Sequence, residues 1–409
     1  MSRTARDLAH EQITIDAARF GRFPQLAINK RLRMSTSPLA FLRGAAPLFY
    51  ELLKERSELA AGPDGTGWIV GDLHVENFGA FRPDVPLLDE QQEAVGERAI
   101  FDVNDFDDAT IAPQRFDVLR LTTSLLITLR NLGVEGAQRI ELGRVLLAAH
   151  ADALLGGGQS FEEPPCIRAL LDTVRRRTRV QLLDKRTEEH KGTRRFVRGP
   201  RYVDLDPRIA SGVPAAFASY VAALPEADRP RPGVFEIIDS AFRIAGTGSL
   251  GVLRVAILTI GKGGRDGGFV FDMKEQGDPS SSVLVAPPAD PPAERVKNAI
   301  LACLALQPRM VGTAQLAGLS CLVRRLAPQE DRLDWRRVGK DELQPMIARL
   351  GMLVGRLHRR GATAPASSAW TVAERRELLH NAVELCALHE AVYLAYCAEV
   401  LKPESLTSS

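Results

Sequence analysis

Residues 71–79 read Gly-Asp-Leu-His-Val-Glu-Asn-Phe-Gly and directly follow the apolar segment 68–70. The apolar residues predict a short buried strand, and the glycine after them predicts a turn. Asp72 and Asn77 then stand on one tight loop, and we expect both side chains to face a common cleft. An aspartate after a strand is often only a turn former, so the rest of the chain decides whether this loop is functional.

A second acidic stretch, Phe-Asp-Val-Asn-Asp-Phe-Asp-Asp, occupies residues 101–108 after another short predicted strand. A calcium-binding EF-hand loop counted from Asp102 needs glycine at its sixth position and glutamate at its twelfth, where this chain has Asp107 and Pro113. That excludes an EF-hand and leaves a plain acidic turn or a Mg²⁺ site. Mg²⁺ takes one or two protein carboxylates plus phosphate oxygens, so we predict Asp105 as its ligand, with Asp107 as a second.

The glycine-rich stretch Gly-Thr-Gly-Ser-Leu-Gly at residues 246–251 and Lys274 lie far downstream of both loops. Apolar and β-branched residues follow the glycines, which predicts a strand and favours a hairpin over phosphates rather than a dinucleotide-binding helix. We expect Lys274, on the next strand, to pair with nucleotide phosphates and with Glu294, which opens the following helix. The predicted nucleotide-binding residues are Gly246, Gly248, Ser249, Gly251, Lys274 and Glu294.

These three pieces are the parts that kinase-type phosphoryl transfer requires. Asp72 would orient or deprotonate the acceptor hydroxyl, and Lys274 would position the phosphates. The amide oxygen of Asn77 and the carboxylate of Asp105 would bind Mg²⁺. In protein kinases the glycine-rich loop and the lysine precede the catalytic loop, whereas here they follow it. We therefore predict a kinase-like phosphotransferase whose parts occur in circularly permuted order.

The periodicity of the chain predicts an α+β fold with two lobes. Apolar runs with glycine-rich turns, then a helical segment and further apolar runs, give a β-β-β-α-β-β order. The predicted strands and helix of this part cover 234–244, 251–260, 268–274, 291–307 and 316–326. The predicted units are an N-terminal arm (1–37), a helical lobe with both acidic loops (38–232), a small β-rich nucleotide-binding lobe (233–328) and C-terminal helices that complete the helical lobe (329–409).

The larger, mostly helical lobe is predicted from apolar residues that recur at helical spacing. The predicted helices cover 38–60, 116–132, 135–155, 343–360 and 372–401. Residues 207–232 contain several prolines and small residues, so we expect them to form a connector between the lobes.

Composition argues against several functional classes. The formal net charge is only +2, which gives no global reason for nucleic-acid or membrane binding. No apolar run approaches the ~20 residues that a membrane-spanning helix needs. The five cysteines are scattered without a CxxC pair, which predicts reduced thiols and a cytoplasmic protein.

Basic residues concentrate in residues 175–201, which hold eleven Lys and Arg but only three Asp and Glu. A solvated helix face and loop is the plain explanation, and a patch that attracts an anionic acceptor is the functional one. Aromatic residues are sparse in this segment, which argues against binding of single-stranded nucleic acid.

The motifs resemble those of aminoglycoside and choline kinases. The catalytic loop of those enzymes is similar to His-Gly-Asp-Leu-His-x-x-Asn, which residues 71–77 match with Val70 in place of the first histidine. Their metal segment is similar to Ile-Asp-Phe-Asp-Asp-Ala followed by Tyr-Asp-Leu-Ala, which residues 105–109 and 116–118 match. The helix before their catalytic loop often ends in Leu-His, and the helix predicted here over 343–360 has Leu357 and His358 in its last turn. The resemblance implies a bilobal kinase-like fold in permuted order, with ATP and Mg²⁺ as cofactors.

Over most of its length the chain also resembles a bacterial family called domain of unknown function 2252. The matching stretches are 37–46, 71–79, 101–121 and 271–275. This second resemblance implies no particular substrate, because that family is uncharacterised.

We therefore expect ATP- and Mg²⁺-dependent phosphoryl transfer to an unidentified hydroxyl acceptor, either a small molecule or a protein. The same site could instead transfer AMP if the nucleotide lies reversed in the cleft. A pseudokinase-like scaffold could bind nucleotide without turnover, and Asn298, which stands where an acid is expected, favours this alternative. A nucleic-acid-binding module built on residues 175–201 predicts a steep salt dependence, but the near-neutral net charge argues against it.

Overall fold

The computed structural model describes residues 3–83, 99–157, 162–229, 233–246, 248, 250–308, 310–366 and 370–402. These residues form a mixed α+β structure with several antiparallel sheets, which confirms the predicted class. The helices are α1 (Ala5–Phe20), α2 (Pro24–Met34), α3 (Pro38–Gly44), α4 (Ala46–Glu55), α5 (Arg115–Asn131), α6 (Gly136–Leu154), α7 (Pro165–Arg175), α8 (Arg179–Asp184), α9 (Pro207–Ala210), α10 (Val213–Ala223), α11 (Pro292–Cys303), α12 (Leu343–Arg360) and α13 (Val372–Val400). The strands are β1 (Thr66–Ile69), β2 (Phe78–Phe81), β3 (Ile100–Val103), β4 (Thr110–Pro113), β5 (Thr187–His190), β6 (Thr193–Phe196), β7 (Tyr202–Val203), β8 (Ile237–Arg243), β9 (Arg254–Thr259), β10 (Phe269–Glu275), β11 (Gly312–Leu316), β12 (Leu319–Arg325), β13 (Asp331–Arg332) and β14 (Ala362–Ala364).

Two predicted segments have a different structure. The helix predicted over 38–60 is divided at Ala45, whose φ of −114° and ψ of 43° are not helical, and α4 then begins with Pro47 in its first turn. The connector predicted over 207–232 contains α9 and α10. Proline is favoured in the first turn of a helix because its missing N–H has no partner there, so these prolines begin helices instead of breaking them.

The largest sheet has six antiparallel strands in the order β11-β12-β10-β9-β8-β7. On β10, Phe271 and Met273 are buried in a core with Phe217 and Tyr220 of α10. Side chains alternate between the faces of a strand, so Lys274 lies on the opposite face. That face is directed toward the acidic loop, which Lys274 contacts. The sheet therefore has one apolar face and one face that includes charged residues.

Two small sheets place the acidic loops side by side. The pair β1–β4 aligns Ile69 with Thr110, and the pair β2–β3 aligns Phe78 with Val103. The loop after β1 therefore begins beside the end of the loop after β3, and it ends beside the beginning of that loop. Because strand pairs hold both ends of both loops, residues 70–77 and 104–109 must lie against each other.

The helical part is closely packed where α12 crosses α6. A Cβ atom added at Gly351 would lie 2.3 Å from the carbonyl oxygen of Leu146, and one at Gly355 would lie 2.4 Å from that of His150. These distances are too short for real Cβ contacts, so glycine allows the two backbones to approach. Helix α5 lies between the acidic loops and α13, and all its residues from Phe116 to Thr128 are buried.

All five cysteines are free thiols, as the sequence analysis predicted. In the part of the chain that the structure describes, no helix combines the length and the apolar character needed to cross a membrane.

The contact between α6 and α12 gives a test of the fold. Alanine favours a helix interior by up to about 1 kcal/mol over glycine, so Gly136→Ala at the exposed start of α6 should leave stability unchanged or raise it. Gly351→Ala should lower the free energy of unfolding by about 2 kcal/mol, because the methyl group must push the two backbones apart. Urea unfolding of both variants measures the difference. Equal stability of the two variants would contradict the close backbone contact.

Candidate active site

The loop that carries Asp72 is shaped by Gly71. Its φ of +82° is in the left-handed region, and a Cβ atom there would lie 2.1 Å from the carbonyl oxygen of Asp108. Only glycine permits both the turn and this close approach. The predicted turn is thus present, and it presses the Asp72 loop against the second acidic stretch.

Asp117 of α5 anchors the backbone at the start of this loop. Its carboxylate accepts hydrogen bonds from the backbone N–H of Val70 at 2.6 Å and of Gly71 at 2.9 Å. Nε2 of the fully buried His358 lies 3.2 Å from the same carboxylate, and the Tyr50 hydroxyl donates to the Gly71 carbonyl at 2.5 Å. Three separate elements therefore fix the backbone from which Asp72 projects.

Arg120, also on α5, fixes the Asp72 side chain. Its Nε and Nη2 both donate to Oδ1 of Asp72, the first at 2.8 Å. Arg120 is completely buried, donates to the Leu42 carbonyl at 2.8 Å, and lies over the Phe49 ring at 4.9 Å. Because both of these N–H groups reach Oδ1, the other carboxylate oxygen accepts no hydrogen bond from the described residues.

The pKa of Asp72 is raised to about 7, above that of an ordinary carboxyl group. Burial is the main cause, and the neighbouring Asp108 and Asp105 add to it, while Arg120 opposes it. The side chain is nevertheless 23% exposed, so it can meet a molecule in the cleft. A carboxylate with a pKa near neutrality is suited to accept a proton at physiological pH.

Asn77 connects the two loops. Its side-chain oxygen accepts a hydrogen bond from the backbone N–H of His74 at 2.6 Å, which closes the turn. Its backbone carbonyl accepts from the N–H of Asn104 at 2.9 Å. This second bond places Asn77 beside the residue that precedes Asp105, so the backbones that carry two of the three predicted Mg²⁺ ligands are neighbours.

The carboxylates of the second loop have different surroundings. Burial and the nearby Asp107 raise the pKa of Asp105, and within the described residues no donor is hydrogen-bonded to its carboxylate. Burial also opposes ionisation of Asp107, but an ion pair with Lys274 outweighs burial and lowers the pKa of Asp107. Gln276 donates to Asp107 at 3.1 Å, and Ser280 donates to Asp108 through N–H and hydroxyl.

The prediction that Glu294 holds Lys274 is wrong. Glu294 accepts a hydrogen bond from Thr313 of β11 and pairs with Lys297 one turn further along α11. It lies on the side of α11 that faces β11, whereas the next residue, Arg295, faces the acidic loop. Arg295 donates to the carbonyl oxygens of Gly277 and of Asp107, at 2.8 and 3.3 Å respectively.

The glycine-rich stretch packs against the N-terminal helices. Arg33 of α2 donates to the Gly246 carbonyl at 2.8 Å, and a Cβ atom at Gly248 would lie 3.2 Å from the Arg43 carbonyl oxygen. Gly251 has a φ of +97°, and a Cβ atom there would lie 2.6 Å from Cβ of Phe20. Ser249 lies outside the described residues. The nucleotide contacts predicted for these glycines remain predictions.

A row of cations on the six-stranded sheet was missed by sequence analysis. Lys274 is paired across the sheet with Arg254, and Arg243 lies beside Arg254 on the next strand. Asp272 of β10 pairs with both arginines, accepting from Nε and Nη2 of Arg254 at 2.8 and 2.6 Å and pairing with Arg243 at 2.8 Å. The available signal was the alternation of charged residues within apolar strands.

Arg120 was also missed, although a signal was present. It lies in a helix that is apolar on both sides of it, and a charge at such a buried position needs a partner. Its partner comes from a loop 48 residues away in sequence, which no local pattern identifies.

The donor atoms of this site fit Mg²⁺. Asn77 and Asp105 offer oxygen ligands, and Mg²⁺ prefers a few such protein ligands, completed by water and phosphate. Within the described ranges, no three His, Cys, Asp or Glu side chains lie close enough together to hold a metal ion alone.

Comparison with known proteins gives one family. The profile of the family described as "uncharacterized protein conserved in bacteria" (DUF2252) matches residues 22–399. No curated protein and no solved structure matches the chain.

The ion pair between Arg120 and Asp72 gives a second test. Arg120→Gln should lower the free energy of unfolding by on the order of 3 kcal/mol, because it leaves a largely buried carboxylate unpaired. Arg144→Gln is the matched control, since Arg144 forms an exposed pair with Glu141 and should cost less than about 1 kcal/mol. Denaturant unfolding measures both losses.

Adding Asp72→Asn to Arg120→Gln should recover part of the lost stability, because a neutral amide needs no cation. Equal losses in the two arginine variants, or no recovery in the double variant, would contradict the assigned role of Arg120.

Proposed function

We propose that this chain, which belongs to the bacterial family DUF2252, is an ATP- and Mg²⁺-dependent phosphotransferase that acts on a hydroxyl acceptor. The observation that carries the proposal is the ion pair between Lys274 of the six-stranded sheet and Asp107 of the second acidic loop. These residues are 167 positions apart in sequence, and their contact places the lysine strand over the loops that carry Asp72 and Asp105.

The arrangement of elements agrees with a kinase-like fold in circularly permuted order. Strands β8, β9 and β10, helix α11, and strands β11 and β12 follow one another in the predicted β-β-β-α-β-β order, and all five strands share one sheet. Helices from both ends of the chain pack together, with α12 on α6 and α13 on α5 and α1. This is what two lobes of a permuted chain require, because the larger lobe must be assembled from both ends.

Asp72 is assigned as the group that orients the acceptor hydroxyl and accepts its proton. Arg120 holds the carboxylate by one oxygen, and burial keeps its pKa close to neutrality. Asn77 and Asp105 would hold Mg²⁺, which would neutralise charge on the transferred phosphoryl group. Lys274 would pair with the phosphates, which requires it to exchange Asp107 for a phosphate oxygen.

AMP transfer is the second candidate, and the row of cations favours it. Arg254 and Arg243 continue from Lys274 across the sheet, away from the acidic loops. A nucleotide that lies reversed in the cleft would place its terminal phosphates on these arginines and its α-phosphate near Asp105. The five free thiols fit a cytoplasmic location for either activity.

Transfer of label from ATP tests the activity and separates the two candidates. The protein is incubated with Mg²⁺, a pool of hydroxylated metabolites, and ATP labelled at either the γ- or the α-phosphate. We expect the γ-label to reach product, with the α-label remaining in nucleotide. Asp72→Asn should lower the rate by about 10²–10⁴-fold, the usual contribution of a positioned general base.

The pH dependence follows from the pKa of Asp72. The carboxylate must be ionised to accept a proton, so kcat/KM should rise with pH and level off above about 7.

The exposed Asp341→Asn is the matched control for Asp72→Asn and should keep the wild-type rate. Transfer at the wild-type rate by Asp72→Asn would contradict the assignment, and α-label in the product would favour AMP transfer.

A further inference from the structure

A cavity of about 160 Å³ lies where the six-stranded sheet meets the basic segment 175–201. Four arginines line it, together with the aromatic ring of Phe269 and apolar side chains. The arginines are Arg82, Arg177, Arg179 and Arg325. We propose that this cavity is a binding site for a phosphate group, separate from the candidate active site.

The charge of the cavity wall supports an anionic ligand. The guanidinium groups of Arg179 and Arg325 lie over the ring of Phe269, at 5.1 and 5.0 Å from its centre. An anion that lies between the two guanidinium groups would be attracted by both of them. Burial, Arg325 and Arg82 all lower the pKa of Arg179, so each of them disfavours its charged form.

Arg179 differs from several other arginines of the basic segment in having no acid partner. Arg194 pairs with Asp184 and Asp266, and Arg198 pairs with Asp204 and Asp239. Arg177 pairs with Asp331. Within the described ranges Arg179 has neither a hydrogen bond nor an ion pair. Among the described residues, Arg179 thus keeps a charge at the cavity that no acid neutralises.

The walls also indicate the class of ligand. An arginine fork matches the oxygens of a phosphate group, and it binds phosphate more specifically than a lysine does. Leu182, Val270 and Pro328 supply apolar surface next to the arginines. A site with both features suits a phosphate group on a small organic molecule or the free phosphate ion.

This cavity is distinct from the site of Asp72 and Lys274. Phe269 opens strand β10 and Lys274 lies near its end, five residues later. That spacing corresponds to roughly 17 Å along a strand. A phosphate bound at Arg179 therefore cannot be the one that Lys274 would contact.

Thermal unfolding in inorganic phosphate tests the proposal, with sodium chloride of equal ionic strength as reference. A ligand that binds only the native state raises the melting temperature. We expect phosphate to raise it in the wild type and in Arg176→Gln, which removes a neighbouring exposed arginine outside the cavity. In Arg179→Gln the rise should be lost, with phosphate affinity weaker by about tenfold or more.

Two further variants test where phosphate binds and whether it needs the guanidinium group or only its charge. Lys274→Met should respond to phosphate like the wild type, which shows that the effect does not arise at the candidate active site. Arg179→Lys keeps the charge and the fold but loses the fork, so its response should be intermediate. Glycerol 3-phosphate, tested in parallel, assigns the site to phosphate esters if its shift is larger and to the free ion if it is smaller.

The proposal is overturned if phosphate stabilises the wild type no more than chloride does. It is also overturned if Arg179→Gln responds as strongly as Arg176→Gln, or if the response disappears in Lys274→Met while remaining in Arg179→Gln.

Discussion

The pairing of β1 with β4 and of β2 with β3 forces two acidic loops to lie against each other, and the candidate site depends on this constraint. Gly71 makes the approach close enough for its backbone to touch that of Asp108. The result is several carboxylates in one partly buried cleft, where they repel each other and are poorly hydrated. Such a cluster persists only if the surrounding structure supplies cations or if the acids take up protons.

Both solutions occur here. Arg120 pairs with Asp72 from inside the helical part, and Lys274 pairs with Asp107 from the sheet, while burial raises the pKa of Asp72 and Asp105. The six-stranded sheet and the acidic loop are therefore held together by the Lys274–Asp107 ion pair. In the proposed function, the charged side chains of this site would also bind Mg²⁺ and phosphate. In that function, a bound nucleotide would replace Asp107 as the partner of Lys274, so the contact between the sheet and the acidic loop would depend on occupancy of the site.

Local patterns predicted most elements but few of the partners. Helix α12 has its predicted bounds, and α5, α6 and α13 begin and end within one residue of prediction, because apolar residues recur at helical spacing along them. Helix α10 was missed because prolines at helix starts resemble chain breaks. The motifs located Asp72, Asn77 and Asp105, and the structure brings these together. The Arg120–Asp72 pair and the Lys274–Asp107 pair were not predictable, since each joins residues that only the tertiary fold makes neighbours.

The central claim is that the two acidic loops and the sheet form one nucleotide site that needs Mg²⁺. Calorimetric titration of ATP into the wild type, Asp105→Asn and the exposed control Asp290→Asn, each with and without Mg²⁺, tests it most directly. The account predicts Mg²⁺-dependent binding in the wild type and the control, and its loss in Asp105→Asn. Absence of binding in the wild type, or unchanged binding in Asp105→Asn, would contradict it.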